Sequence, residues 1–296
     1  MKKIDVHIHT TMWKNAMFRP GVSLITPEEI RESYKALDIE KGFILSLISP
    51  ENRFIIQTNE EMEYVANNNP DIFYWLCNID PRMISNSPKT DFSGILEYYK
   101  NKGAIGVGEL TANLYTDEPM MENLFYYCGE MDMPVIIHIS PEKNNGYGIV
   151  DDIGLPRLEK MLKKYPKLKI LGHSQCFWSE ISSDVTVETR NGYPTGKVKE
   201  GRVAQLLRNY PNLYCDLSAG SGFNALNRDT DYAYRFIEEF SDRLMFGTDI
   251  CIANQETKLT SFLDTSFEKG CISEKNYKKI CRENAIRLFK LKEENF

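Results

Sequence analysis

Short apolar runs alternate with longer amphipathic stretches along the whole of this chain, and few folds tolerate that rhythm. Eight runs read as strands: Ile4–Ile8, Gly42–Ile48, Phe73–Ile79, Ala104–Leu110, Val135–Ile139, Lys169–Leu171, Leu213–Leu217 and Leu244–Phe246. The stretches between them carry apolar residues three and four apart, the period of a helix packed on one face. Thr26-Pro27-Glu28-Glu29 supplies a cap residue, a Pro at the first helical position and acids in the first turn. Thr58-Asn59-Glu60-Glu61 opens a second helix in the same way, and Pro156–Tyr165 and Val203–Tyr210 read as helices that stop before Pro166 and Pro211. Strands that alternate with helices pair in parallel. Eight such units predict an α/β fold closed as a (β/α)₈ TIM barrel. An open doubly wound sheet is the alternative, but no Gly-rich dinucleotide fingerprint follows the first strand to support it.

The 296 residues suit one barrel domain over 1–296, since about 250 are typical. Two smaller domains would also fit by length, but no linker, low-complexity tract or composition break divides the chain. An apolar fraction of 42% is enough for a sizeable core. A net charge of -6 argues against a nucleic-acid partner, which needs a basic surface. No run reaches the ~18 apolar residues of a membrane span, and Met-Lys-Lys-Ile-Asp-Val-His lacks the apolar run of a signal peptide. The seven Cys are odd in number and irregular in spacing, with Cys77 and Cys215 inside strand-like runs. They read as buried free thiols of a cytoplasmic protein. The expected partner is a small-molecule substrate, with neither nucleic acid nor membrane; a homo-oligomer is left open.

Two loops are long, Thr10 to Ile25 after the first strand and Ser174 to about Lys197 after the sixth. Both leave the carboxyl ends of strands, where barrel enzymes keep their sites.

The chain has four His, namely His7, His9, His138 and His173, and each falls at the end of a strand. His7 and His9 are two apart, so on a regular strand they share a face, with Asp5 deeper on the same face. Neutral imidazole is the commonest metal ligand. The pair, with His138 reaching from across the barrel, makes most of a zinc-like site. Core histidines satisfied by hydrogen bonds are the competing reading, weakened because all four converge.

Asp249 ends the eighth strand, which closes against the first, and so lies beside His7 and His9. One oxygen can bind metal while the other accepts a proton from water; capping the next turn is its bland role. Glu109 ends strand four after Gly106 and Gly108. It reads as a metal ligand, a bridge between two metals, a base nearby, or a rim salt bridge. His173 reads as a ligand to a second metal, or as a catalytic electrophile or acid facing substrate.

These residues resemble the amidohydrolase superfamily, in its amidohydrolase-related (amidohydrolase 2) branch of metal-dependent hydrolases and decarboxylases. The matching pieces run in order from Ile4-Asp5-Val6-His7-Ile8-His9 through Gly106-Val107-Gly108-Glu109, Val135-Ile136-Ile137-His138 and Leu171-Gly172-His173 to Phe246-Gly247-Thr248-Asp249. Glu283-Asn284-Ala285-Ile286-Arg287-Leu288-Phe289 resembles the closing helix of that family. The resemblance implies one or two divalent ions, zinc or manganese, held by His7, His9, His138 and Asp249, with Asp249 as base and His173 on substrate or a second metal. Strand four departs from many two-metal members by carrying Glu109 where they have a carbamylated Lys.

The implied reaction is hydrolysis of a C–N or C–O bond in a small amide, lactone or ester. The alternative is non-oxidative decarboxylation of an unsaturated or aromatic acid; a barrel that only binds a ligand is the third reading. No Gly-x-Ser-x-Gly elbow points to a Ser nucleophile. Arg19, Arg53 and Trp178 are candidates for substrate contact, an Arg as a carboxylate clamp and a Trp as a stacking surface. Trp13, Phe18, Phe177, Arg190 and Tyr193 sit in the same loops; Cys176 and Cys251 read as incidental neighbours.

Overall fold

A computed structural model of the chain describes residues 1–51 and 55–292. All eight expected strands are present: β1 (Lys3–Ile8), β2 (Ile39–Leu45), β3 (Phe73–Cys77), β4 (Ala104–Leu110), β5 (Val135–Ser140), β6 (Ile170–His173), β7 (Leu213–Asp216) and β8 (Leu244–Met245). They pair in chain order, all in parallel. The last pairing joins the two ends. Val6 N–H donates to the Phe246 carbonyl at 3.1 Å, Asp249 N–H to His7 at 2.8 Å and His9 N–H to Ile250 at 3.0 Å. Those bonds close the sheet into a (β/α)₈ TIM barrel, and the doubly wound alternative falls.

The helices start where capping chemistry places them. Glu29 accepts from the Thr26 N–H at 2.8 Å ahead of helix Pro27–Leu37, and Thr58 Oγ1 accepts from the Glu61 N–H at 3.1 Å ahead of helix Asn59–Asn68. β2 begins three residues earlier than its apolar run, at Ile39, because Asp38 in the left-handed region turns the chain straight out of the preceding helix.

The apolar residues divide into two layers. Ile4, Val6, Phe43, Leu45, Leu76, Ile136, Leu171 and Met245 fill the barrel, and Leu288 and Phe289 of helix Asn284–Phe289 close its floor. Gly106 makes room there: a Cβ on it would lie 3.0 Å from the Phe289 ring. A larger layer, with Ile8, Ile44, Trp75, Val107 and Ile137, packs between strands and helices.

β1 is not regular. Asp5 pairs with Gly42 but Ile8 with Ile44, so three residues of β1 advance against two of β2. Such a bulge exchanges the faces of the residues beyond it. Val6 stays in the barrel and Ile8 turns to the helix layer, so His7 and His9 face the barrel mouth. Asp5 is on the other side. Its carboxylate accepts from Tyr34 Oη of helix Pro27–Leu37 at 3.0 Å and from Thr248 Oγ1 at 2.5 Å. This corrects the expectation that Asp5 lies beneath the histidines.

The loop after β1 carries an antiparallel hairpin, Met17–Arg19 with Val22–Ser23. The loop after β6 starts with the short helix Gln175–Ser179. The segment after β5 also extends over the mouth, returning as a short strand, Ile149–Val150, parallel to β5. Every one of the seven Cys is a free thiol. Among the described residues no helix is long and apolar enough to cross a membrane.

Candidate metal centre

The four histidines, Glu109 and Asp249 meet at the carboxyl end of the barrel. His7 Nε2 and His9 Nε2 stand 3.2 Å apart. Asp249 Oδ1 lies 3.7 Å from the first and 3.8 Å from the second. Glu109 Oε2 lies 3.8 and 3.5 Å from the same two atoms. An ion with bonds of about 2.1 Å holds adjacent donors about 3.0–3.4 Å apart in octahedral or tetrahedral geometry. Each carboxylate oxygen is within a few tenths of an ångström of that spacing from both imidazole nitrogens, so either fits a divalent metal beside the His7 and His9 pair.

His138 stands differently from its expected place. Its Nδ1 is 2.8 Å from Glu109 Oε1, on the far side of that carboxylate from His7 and His9. His173 Nε2 is 3.9 Å from the same oxygen. The six residues thus form two adjoining groups, His7, His9 and Asp249 in one and Glu109, His138 and His173 in the other. Glu109 lies between them, one oxygen toward each, and His138 reaches the cup beside Glu109 Oε1.

Asp216, at the end of β7, is the residue that sequence reasoning missed. Its Oδ2 accepts from His7 Nδ1–H at 2.6 Å, which directs Nε2 of His7 into the cup. The same oxygen lies 3.4 Å from His173 Nδ1, and Ser218 Oγ lies 3.0 Å from that nitrogen. A carboxylate at the end of a barrel strand was the available signal, the one that picked out Asp249.

Burial lowers the His7 imidazole, but the carboxylates of Asp216, Glu109 and Asp249 outweigh it and push the ring up to about 10. Burial and the neighbouring His7 push His173 down to about 4, so it is neutral at physiological pH. Burial raises Glu109, but the His138 ring more than offsets it and holds the carboxyl well below the usual range. Three carboxylates around buried imidazoles make a strongly negative cup that favours a cation.

Strain gathers at the same rim. Ser174, Ala219 and Asp249, just past the ends of β6, β7 and β8, all have positive φ, 103°, 63° and 55°. Such conformations are costly for residues other than Gly and recur at functional sites. At Asp249 the turn aims the carboxylate into the cup.

The cup opens into a cavity of about 390 Å³ lined by His9, Glu109, His138, His173 and Asp249. Phe18 and Arg19 of the hairpin line it too, and Arg19 makes no ion pair among the described residues. Tyr147, also unforeseen, lies against His138 with ring centroids 4.5 Å apart and planes tilted by 40°, brought there by the segment after β5. Trp178 is not a cavity residue: it is 1% exposed, and its indole N–H donates to the Asp216 carbonyl at 2.8 Å behind the site. Its apolar ring belongs to the helix layer, which corrects its expected place on the substrate. Arg190 is buried as well, donating to the Asp151 carbonyl at 2.9 Å. Trp13 projects into solvent, and Cys251 lines the cavity whereas Cys176 does not. Arg53 lies outside the described residues.

A parallel barrel with a His-x-His pair and a strand-eight carboxylate at its mouth is a TIM barrel with a candidate metal centre. The chain belongs to the amidohydrolase family, whose model matches residues 95–291. The fold recurs in an uncharacterised TIM-barrel protein of Bordetella bronchiseptica, 19% identical, covering 98% of this chain and 99% of that one, with a TM-score of 0.66. It recurs in a probable 2-pyrone-4,6-dicarboxylic acid hydrolase of Acinetobacter baumannii with citric acid bound, 14% identical over 98% and 100% of the chains, TM-score 0.58. A dihydroxybenzoic acid decarboxylase of Polaromonas sp., with bound manganese and 2-nitroresorcinol, is 17% identical over 100% and 99%, TM-score 0.62. No curated protein matches by sequence.

Proposed function

We propose that the protein is a metal-dependent hydrolase acting on a C–N or C–O bond of a small amide, lactone or ester. The observation that carries this reading is the cup in which Glu109 Oε2 and Asp249 Oδ1 each lie 3.5–3.8 Å from His7 Nε2 and His9 Nε2, themselves 3.2 Å apart. Zinc or manganese is the ion proposed; manganese occupies the structurally similar decarboxylase. When bound, a divalent ion polarises a scissile carbonyl and acidifies water. Asp249 has a second oxygen to accept the proton of the attacking water and return it to the leaving group. His173, neutral, has two uses set by its tautomer. If Ser218 donates to Nδ1, an Nε2–H faces the cavity and can bond a substrate oxygen. If Nδ1–H donates to Asp216, Nε2 keeps its lone pair for a second ion beside Glu109 and His138. Arg19 at the mouth suits a carboxylate on the substrate.

Decarboxylation is the second reading, favoured by the likeness to the manganese-containing decarboxylase. Glu109, placed between the two histidine groups, favours hydrolysis, because a carboxylate there can bridge two ions. Metal content per chain by elemental mass spectrometry, followed by product analysis on lactones, amides and aromatic acids, tests both. About one or two ions with metal-dependent hydrolysis supports the proposal. Release of CO₂ without any hydrolysis transfers the site to the second reading, and no bound metal after incubation ends both.

A further inference from the structure

A second chamber of about 410 Å³ adjoins the catalytic cavity and shares Tyr193, Ala219, Gly220 and Gln255 with it as a common wall. We propose that this chamber is a subsite for an uncharged, largely apolar arm of the substrate, so that the substrate is bipartite: a reacting group over the cup and an extended arm beyond Tyr193.

The wall is partly movable. Tyr193 belongs to the long loop after β6, is 53% exposed, and lies against Gly220, where a built Cβ would approach its hydroxyl and ring to 3.1–3.3 Å. Among the described residues one long hydrogen bond from Gln175, 3.4 Å, tethers its hydroxyl. The other half of the wall is fixed: Gln255 donates to the Asp249 carbonyl at 2.6 Å and accepts from the Cys251 N–H at 2.9 Å. A swing of Tyr193 therefore joins the two spaces without disturbing the segment that carries Asp249.

The chamber's chemistry selects the arm. Phe223 and Leu259 give it apolar sides. Its charged groups cancel, since Lys258 Nζ lies 3.3 Å from a Glu256 carboxylate at the exposed edge. Asn224 is half-buried, and its side chain makes no hydrogen bond among the described residues, leaving an amide for one polar atom of the arm. Arg19, a cation of the catalytic cavity that makes no ion pair among the described residues, lies instead on the hairpin after β1. A carboxylate thus finds its partner in the first space, and an alkyl or aryl group its partner in the second.

The inference rests on the hydrolase reading for the bond cleaved, though not for the binding. The test is calorimetry on the manganese-loaded protein with straight-chain carboxylates from acetate to octanoate, and with the matching primary amides, which need no charged anchor. In the wild type each two added methylenes should tighten binding about tenfold at full burial. Leu259→Trp and Asn224→Phe, which fill the chamber, should bind acetate and acetamide as the wild type does but lose the gain for the longer chains. Thermal melting confirms that the variants fold, and two variants at separate positions guard against one failing. Absence of chain-length dependence in both series, or the same dependence in both variants, would overturn the proposal. Finding CO₂ release and no hydrolysis would instead remove the hydrolase reading and leave the chain-length result standing.

Discussion

Asp216 orients His7 from behind the cup. It holds a proton of His7 on Nδ1, so Nε2 points into the cup as the atom a metal would take. Asp216→Asn can put an amide N–H against that nitrogen and favour the wrong tautomer. Loss of such an outer carboxylate typically costs 10–100-fold in metal affinity; competition with a chromogenic chelator should show a loss of about that size with an unchanged circular dichroism spectrum. Asp249→Asn should keep the fold yet lower turnover, measured at saturating metal, by at least about 100-fold, the usual contribution of a positioned base. Full activity in that variant would assign the base elsewhere. Of the site residues, His7, His9, Glu109, His173 and Asp249 were legible because each stands at the end of a strand. His138's separation from the first group was not, because it depends on how far Glu109 projects between them.

At the level of elements, the loops decide what reaches the mouth. Sequence indicated two long loops, but the return strand Ile149–Val150 makes the segment after β5 a third, and it delivers Tyr147. That segment leads to helix Pro156–Lys164, whose N-terminus is held by Asp151: its carboxyl accepts from the Arg157 and Leu158 N–H groups at 3.1 and 2.7 Å. Burial pushes the Asp151 carboxyl up to about 7, with the backbone donors opposing. A folded pKa above the ordinary 3.8 contributes stability that is complete below about pH 4 and lost as pH rises through 7. Asp151→Asn keeps an acceptor without the titration. The advantage of the wild type over that variant should therefore shrink between pH 4 and 7 and stay level above. Melting temperatures at pH 4.5, 6 and 8 check this, and a constant difference would sink it. The β1 bulge belongs to this scale too: it turns His7 and His9 to the mouth and Asp5 to Tyr34, and no residue in Ile4–His9 marks it.

Over the whole molecule, the floor and the mouth of the barrel do different work. Phe289 seals the floor, 4.9 Å from the Phe43 ring between centroids and over Gly106. Phe289→Ala should cost about 3–5 kcal/mol, as for large cavities left in cores, read by urea denaturation, with little effect on metal affinity. At the mouth, a metal present at about 100 times its dissociation constant should add about 2.7 kcal/mol to stability; a melting temperature indifferent to zinc, manganese and chelator would remove the cup as a metal site. What the sequence determined alone was the barrel, because short apolar runs alternate with period-3.6 stretches eight times, and the gathering of histidines at strand ends, because barrel closure brings all such ends to one rim. Only the tertiary structure decided which nitrogen and which oxygen face one another, that Trp178 packs behind the site, and that a second chamber lies beside the first. Those outcomes depend on a one-residue register slip, on side-chain direction and on how loops from distant strands settle against each other, and local pattern carries none of these.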